Sequence, residues 1–147
     1  MAKKKRHSKL FTAFFTGIFV CAVAAMIWYA IPGYKIEPGY WVVEDAYKNY
    51  QSQVMAEVTG HVVRLLPDDP GSNQQQKFVI SLKNEQNLMV MHSLRYSERV
   101  PVAINDEVII RGEYLWTEPG GVIHSTHWDT GIGKRHGWIN HQGTVYQ

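Results

Sequence analysis

Cysteine is almost absent from this 147-residue chain: Cys21 is its single cysteine, so no disulfide can form within it. A glycine-rich phosphate loop is missing too, because Gly131 and Gly133 alone are too short a motif for one. No serine or cysteine stands in a recognisable nucleophile motif, and there are no internal repeats or low-complexity tracts. The sequence therefore gives no support to a disulfide scaffold, a P-loop nucleotide-binding protein or a serine or cysteine hydrolase.

Positive charge is scarce outside the N-terminal tail. Five of the fifteen lysines and arginines lie in residues 1–9, which contain no acidic residue. The other ten face all thirteen aspartates and glutamates, so residues 10–147 carry a net charge of −3. The positive net charge of the whole chain thus indicates membrane topology and does not predict a nucleic-acid partner.

Residues 10–31 form an uncharged run of twenty-two residues. A bilayer core needs about 20 apolar residues, and basic residues before such a run place the N-terminus in the cytoplasm. A cleaved signal peptide is the alternative, since 22–24 (Ala-Val-Ala) resembles a cleavage site. The apolar run continues beyond it, however, and Trp28 and Tyr29 suit a membrane interface, which favours an uncleaved anchor.

These features predict a four-part, single-pass protein of the inner (cytoplasmic) membrane. Residues 1–9 form a basic cytoplasmic tail, 10–31 a transmembrane anchor, 32–43 a linker and 44–147 an extracytoplasmic domain. The membrane is one predicted partner, contacted through the N-terminal helix, and the other is an unknown ligand or protein of the envelope. In a bacterium with two membranes the domain would be periplasmic.

The extracytoplasmic domain is predicted to be all-β after one short helix. Residues 44–53 read as the helix, because Ala46, Tyr47, Tyr50 and Val54 share one helical face. Five runs then alternate with period two: one from residue 54 until Pro67, then 77–82, 88–92, 108–114 and 122–124. This pattern predicts a small five-stranded OB-like barrel, with a Greek-key sandwich as the alternative. A small hairpin with its turn at 140–143 is expected to follow.

Histidines concentrate near the C-terminus, where His124, His127 and Asp129 suggest a divalent metal site. On a straight strand His127 and Asp129 share a face and His124 points away. A break at residues 125–126 would bring all three together as an open metal site. The alternative is a set of hydrogen-bonded histidines that fix a loop, with no cofactor at all.

Other polar residues extend this region into a possible recognition surface. Its predicted ligand-binding members are His127, Asp129, Arg135, His136 and Trp138. Arginine suits an anion because its donors form a rigid plane. If the protein is an enzyme, which the sequence leaves uncertain, His92 or His136 would act as acid or base. His92 is expected to face inward, and His141 is expected to be solvated at the hairpin turn.

Short segments shared across residues 60–147 resemble a bacterial family, the domain of unknown function 3465. The shared segments are 65–69, 76–80, His92, 99–101, 112–114, 120–124, 126–127, Asp129, 135–138, His141 and 146–147. The resemblance implies a small exported or membrane-anchored β domain and no assigned activity. Gln75 and Trp128 stand where that family usually has histidines.

Three functions therefore stay open from the sequence. The first is a non-enzymatic, membrane-anchored binding module of the envelope whose ligand is unknown. The second is a metal-dependent hydrolase that uses the histidine and aspartate cluster. The third is binding of single-stranded nucleic acid or glycan through Tyr114, Trp116, Trp128 and Trp138, since aromatic side chains stack on bases and sugars.

Overall fold

One short helix and seven strands make up the part of the chain that the computed structural model describes, namely residues 39–69, 74–129, 131 and 136–147. All of these residues belong to one compact unit, Glu37–Gln147. The elements are α1 (Tyr40–Lys48), β1 (Val54–Leu66), β2 (Gln75–Leu82), β3 (Asn87–Ser93), β4 (Glu107–Leu115), β5 (Val122–His124), β6 (Trp138–His141) and β7 (Thr144–Tyr146).

The predicted N-terminal segments lie largely beyond these residues. The tail 1–9, the anchor 10–31 and the linker up to residue 38 are outside the described residues, and so is Arg135. Within the described ranges, no helix has the length and apolar character needed to cross a membrane.

Five of the strands close into a barrel. The first part of β1 pairs with β4, from Val54 opposite Tyr114 onwards, and its second part pairs with β2. β2 pairs with β3 in antiparallel orientation, β3 pairs with β5 in parallel, and β5 pairs with β4. Because β4 also pairs with β1, the sheet closes on itself. The predicted five-stranded barrel is therefore confirmed, and the sandwich alternative is wrong.

Strict alternation along β2 and β3 separates an inner from an outer face. In β2 and β3 every second residue is buried, including Phe78, Ile80 and Val90, which belong to the hydrophobic core. The residues between them are only partly buried and face outward, because successive side chains of a strand point to opposite faces. Gln75, at the start of β2, belongs to this outer set.

The helix begins and ends earlier than its apolar spacing predicts. α1 starts directly after Gly39 and ends at Lys48, so it occupies part of the predicted linker 32–43. Tyr50 has a φ of 56°, a left-handed conformation that stops helical propagation. The predicted range 44–53 is thus wrong at both ends. Of the predicted face, Ala46 is buried and Tyr47 is partly buried, whereas Tyr50 is 74% exposed and Val54 begins β1.

Trp116 connects α1 to the barrel. Its indole N–H donates to the Tyr47 carbonyl over 3.1 Å, and its ring lies 5.0 Å from that of Tyr50. Its own backbone N–H donates to the Ser52 hydroxyl over 3.0 Å. One of the tryptophans predicted to form a stacking surface is therefore used to hold the helix in place.

The C-terminal hairpin forms as predicted, but its histidine is not solvated. β6 pairs with β4 along the part of that strand that β5 leaves free, and β7 pairs with β6. His141 is only 4% exposed, and its Nε2 lies 2.8 Å from Oδ2 of Asp106. The Ala103 N–H, and then His141, hold the pKa of the Asp106 carboxyl below its usual value. The expectation of a solvated His141 is therefore wrong.

Candidate functional site

A break in the backbone directly after β5 brings two of the predicted histidines together. β5 ends at His124, and Ser125 follows with a φ of 53°. A non-glycine residue in this left-handed region stores about 1–3 kcal/mol of strain, and such residues cluster at functional sites. Beyond the break His127 no longer faces away from His124, and both side chains line the same cavity.

This cavity, called the outer cavity below, has a volume of about 190 Å³ and lies against the outer face of the barrel. Its wall on the sheet is formed by outward residues at the ends of three neighbouring strands, namely Gln75 of β2, Met91 and Ser93 of β3 and His124 of β5. The site thus lies on the side of the sheet opposite to the core.

Two loops complete the outer cavity. The β3–β4 connection contributes Arg95 and Tyr96, and the segment after β5 contributes Ser125 and His127. The rings of Tyr96 and His127 are stacked, with centroids 4.7 Å apart and planes 25° apart. The Arg95 guanidinium lies 5.5 Å from the centre of the Tyr96 ring, on which it makes a cation–π contact. None of the described residues that line the cavity is acidic.

Gln75 and His124, which both line the cavity, each carry a buried polar atom that makes no hydrogen bond within the described part of the chain. These atoms are Oε1 of Gln75 and Nε2 of His124. The other ring nitrogen of His124 lies 2.9 Å from the Ser125 hydroxyl, and Glu113 approaches Nε2 only to 3.8 Å. A buried polar group without a hydrogen bond costs about 1–3 kcal/mol unless a water molecule or a ligand in the cavity supplies the partner.

His92 supports the outer cavity from inside the barrel. It is 0% exposed, and its Nε2 lies 3.0 Å from the Glu98 carbonyl, which can only accept a hydrogen bond. Nε2 therefore carries the proton, and Nδ1 accepts from the hydroxyl of the fully buried Thr126 over 2.8 Å. Burial first, and then the nearby His127, lowers the pKa of His92. The neutral ring thus fastens both loops, and the predicted inward orientation is confirmed.

Gln76 fastens the β3–β4 connection a second time. Its side-chain amide donates to the Val100 carbonyl over 2.7 Å, and the Val100 N–H donates back to its Oε1 over 2.9 Å. The Gln76 side chain thus makes the two backbone hydrogen bonds with Val100 that a neighbouring strand would otherwise make. Arg95 and Tyr96 are thus carried by a connection that is anchored to the barrel by Gln76 and by His92.

Two glycines allow the segment after β5 to lie close to the sheet. A Cβ atom added to Gly112 would stand 2.4 Å from the His124 carbonyl oxygen. One added to Gly137 would stand 1.9 Å from the Ser125 carbonyl oxygen and 2.8 Å from Cα of Thr126. The Gly137 N–H also donates to the His127 carbonyl over 3.1 Å. The break at Ser125 is therefore held from both sides.

The other predicted site residues that the structure describes, Asp129, His136 and Trp138, do not line the outer cavity. Asp129 accepts a hydrogen bond from the Gly131 N–H over 2.9 Å. His136 stacks on Trp128 with ring centroids 3.6 Å apart, and Trp128 is 52% exposed. Trp138 begins β6 opposite Arg111. Across the described ranges no three His, Cys, Asp or Glu side chains are grouped closely enough to hold a metal ion. The metal site, the hydrolase and the catalytic roles stay predictions.

Several residues that build the site were not among the predicted site residues, including Tyr96, Thr126 and Gln76. Gln76 left a readable signal, because it is a polar residue at an inward position of β2, in phase with the buried Phe78 and Ile80. Gln75 was noted only for the histidine that it replaces. Tyr96 and Thr126 left no such signal, because their partners are distant in sequence.

The comparisons with known proteins give a family and no function. A family model described as "Protein of unknown function (DUF3465)" matches residues 29–147. That range contains every described residue, and therefore the barrel and the outer cavity. The chain matches no curated protein and no solved structure.

Proposed function

We propose that this chain, which belongs to the DUF3465 family of proteins of unknown function, is a membrane-anchored binding module that holds a small ligand in its outer cavity. The observation that carries the proposal is the pair of buried, unsatisfied polar atoms on Gln75 and His124, two residues that line one cavity. A ligand that supplies hydrogen bonds to both atoms would remove their cost.

The shape of the site supports binding more than it supports a particular reaction. Ligand sites are concave and place a few polar groups on otherwise fixed walls. Here the walls are fixed, because His92 and Gln76 anchor one covering loop and Gly112 and Gly137 anchor the other. The strand order of the barrel is consistent with an OB-like fold, in which the barrel surface carries the binding residues.

The outer cavity is smaller than the pockets of about 300–1,000 Å³ that take drug-sized ligands, because its volume is about 190 Å³. This size favours a small ligand over a nucleic acid or glycan chain. The ligand we propose is a small molecule or ion.

A thermal-shift panel on the full chain in detergent tests the proposal. The panel contains succinate, inorganic phosphate, glycerol, betaine and Zn²⁺. A ligand that binds only the folded chain stabilises it by about 2.7 kcal/mol at 100 times its Kd. We expect at least one member to raise the melting temperature of the wild type and not that of Ser93→Phe, in which the new ring fills the outer cavity.

Ser81→Phe is the matched control for this experiment. Ser81 lies on the outer face of β2, in phase with Gln75 and Ser93, and it does not line the outer cavity. The control is expected to respond like the wild type. No response of the wild type to any member, or an equal response of Ser93→Phe, would contradict the proposed function. A response to Zn²⁺ alone would favour the metal-dependent alternative.

The anchor is proposed on sequence grounds: the uncharged run 10–31 follows a basic tail, which supports a single span with the domain outside the cytoplasm. Fractionation of cells that express the full chain is the check. We expect the protein in membranes washed with alkaline carbonate, and recovery in the soluble fraction would sink this part of the proposal.

A further inference from the structure

We propose that the ligand of the outer cavity is a small oxyanion, a carboxylate or a phosphate, and that Arg95 is its main anchor. This inference rests on the proposed function and adds the chemical class of the ligand. It follows from three features of the cavity wall: its charge, its hydrogen-bond donors and its flat ring surface.

The charge of the wall is the first feature. Arg95 is the one lining residue among those described that is permanently charged, and no described lining residue is acidic. Arg95 forms no ion pair within the described residues, whereas Arg99, four residues later, pairs with Asp68. A guanidinium offers five donors in a rigid plane, which matches a carboxylate or a phosphate in two parallel hydrogen bonds.

Hydrogen-bond donors around Arg95 are the second feature. Ser93 contributes a hydroxyl group. When the Ser125 hydroxyl donates to Nδ1 of His124, the proton of the neutral ring is on Nε2, which makes no hydrogen bond among the described residues and lies 3.8 Å from the Glu113 carboxylate. Rotation of the Gln75 amide by half a turn exchanges its oxygen with its NH₂ group, so this side chain can donate as well. Together with Arg95, the Ser93 hydroxyl, Nε2 of His124 and the Gln75 amide can therefore donate to an acceptor-rich ligand.

Ring stacking is the third feature and fixes the position of the anchor. The Arg95 guanidinium lies over the Tyr96 ring, and the Tyr96 ring stacks on His127. These three side chains form one side of the cavity. The guanidinium is thus restrained before the ligand arrives, which lowers the entropy cost of binding. The apolar side chain of Met91 on the sheet wall leaves room for a short carbon chain beside the anionic group.

Titration of the full chain in detergent with succinate, acetate and inorganic phosphate tests the inference, with amide NMR shifts as the readout. We expect saturable shifts at His124 and its neighbours. Arg95→Gln should raise the Kd at least tenfold, because it removes the charge and keeps most of the side-chain length. Arg99→Gln is the matched control and should change the Kd less than twofold. Succinate against phosphate then identifies which oxyanion is preferred.

The outcomes separate this inference from the proposed function. If glycerol or betaine binds in the outer cavity and none of the anions does, the binding function stands and the oxyanion inference is overturned. If Zn²⁺ alone binds, the metal-dependent alternative is favoured and the oxyanion inference is again overturned. If none of these probes binds there, both are overturned. If Arg99→Gln weakens anion binding as much as Arg95→Gln does, the effect is a general one of surface charge, and the inference is again overturned.

Discussion

Gly137→Ala is expected to destabilise the chain by about 3 kcal/mol and to displace the loop that covers the outer cavity. The added methyl group would stand 1.9 Å from the Ser125 carbonyl oxygen and 2.8 Å from the Arg111 carbonyl oxygen. Both atoms are backbone atoms, so neither can move aside as a flexible side chain would. The segment 125–127 must shift outward, and the Gly137 N–H then loses its hydrogen bond to the His127 carbonyl.

Gly143→Ala is the matched control, because a Cβ atom at Gly143 meets nothing within 4 Å. Gly143 has a φ of 84°, so its replacement costs about 1 kcal/mol of backbone strain without any collision. Urea unfolding followed by circular dichroism measures both variants. If Gly137→Ala is no less stable than Gly143→Ala, the close approach described here is not a feature of the native protein.

His92→Leu is expected to cost about 3 kcal/mol, because it leaves two buried polar groups without partners. The Glu98 carbonyl loses the donor at 3.0 Å, and the Thr126 hydroxyl loses the acceptor at 2.8 Å. Leucine fills much of the volume, so the loss measures the hydrogen bonds more than a cavity. His92→Gln can donate to one group and accept from the other, and we expect it to restore more than half of the loss in urea unfolding. Equal stability of the two variants would refute this role.

The stability of the wild type is also expected to depend on pH through His92, and the His92→Gln variant tests this. Because burial lowers the pKa of His92 in the folded chain, the unfolded chain takes up a proton here more readily than the folded chain does as the pH falls through about 6.5. The free energy of unfolding therefore falls as the pH decreases from about 7 towards 5, by at most about 1.4 kcal/mol per pH unit. His92→Gln should show a shallower decrease. A decrease as steep as that of the wild type would assign the effect to other groups. Asp106 acts in a lower window, near and below its ordinary pKa of 3.8.

The barrel could be predicted because its strands follow a local rule. Alternation of apolar residues, broken by turn residues, located the five barrel strands and the hairpin to within a few residues. The helix could not be placed as well, since its C-terminal end is set by the left-handed conformation of Tyr50 and not by its apolar face. Aromatic residues that look alike in the sequence also differ in role: Trp116 is tied to Tyr47, whereas Trp128 is half exposed.

The site was predicted only in outline, because its geometry depends on one backbone angle. Strand parity separates His124 from His127 unless the strand breaks, and the break occurs at Ser125, a residue type with no marked preference for positive φ. The cavity wall also needs contacts between distant segments, such as Tyr96 with His127. His141 shows the same limit, since its partner Asp106 is 35 residues away in the chain. Local sequence patterns do not indicate which distant residues contact each other.

The pairing of β1 with β4 has a consequence for the kinetics of folding. In this pairing Val54 lies opposite Tyr114 and His61 lies opposite Glu107, although β2 and β3 separate the two strands in the sequence. Closing so long a loop is entropically costly, and chains dominated by such distant pairings fold in milliseconds to seconds. The meander of neighbouring strands is therefore expected to form first, with one edge of β1 open until β4 arrives. During that interval the exposed edge is the part of the nascent domain most prone to pair with another chain.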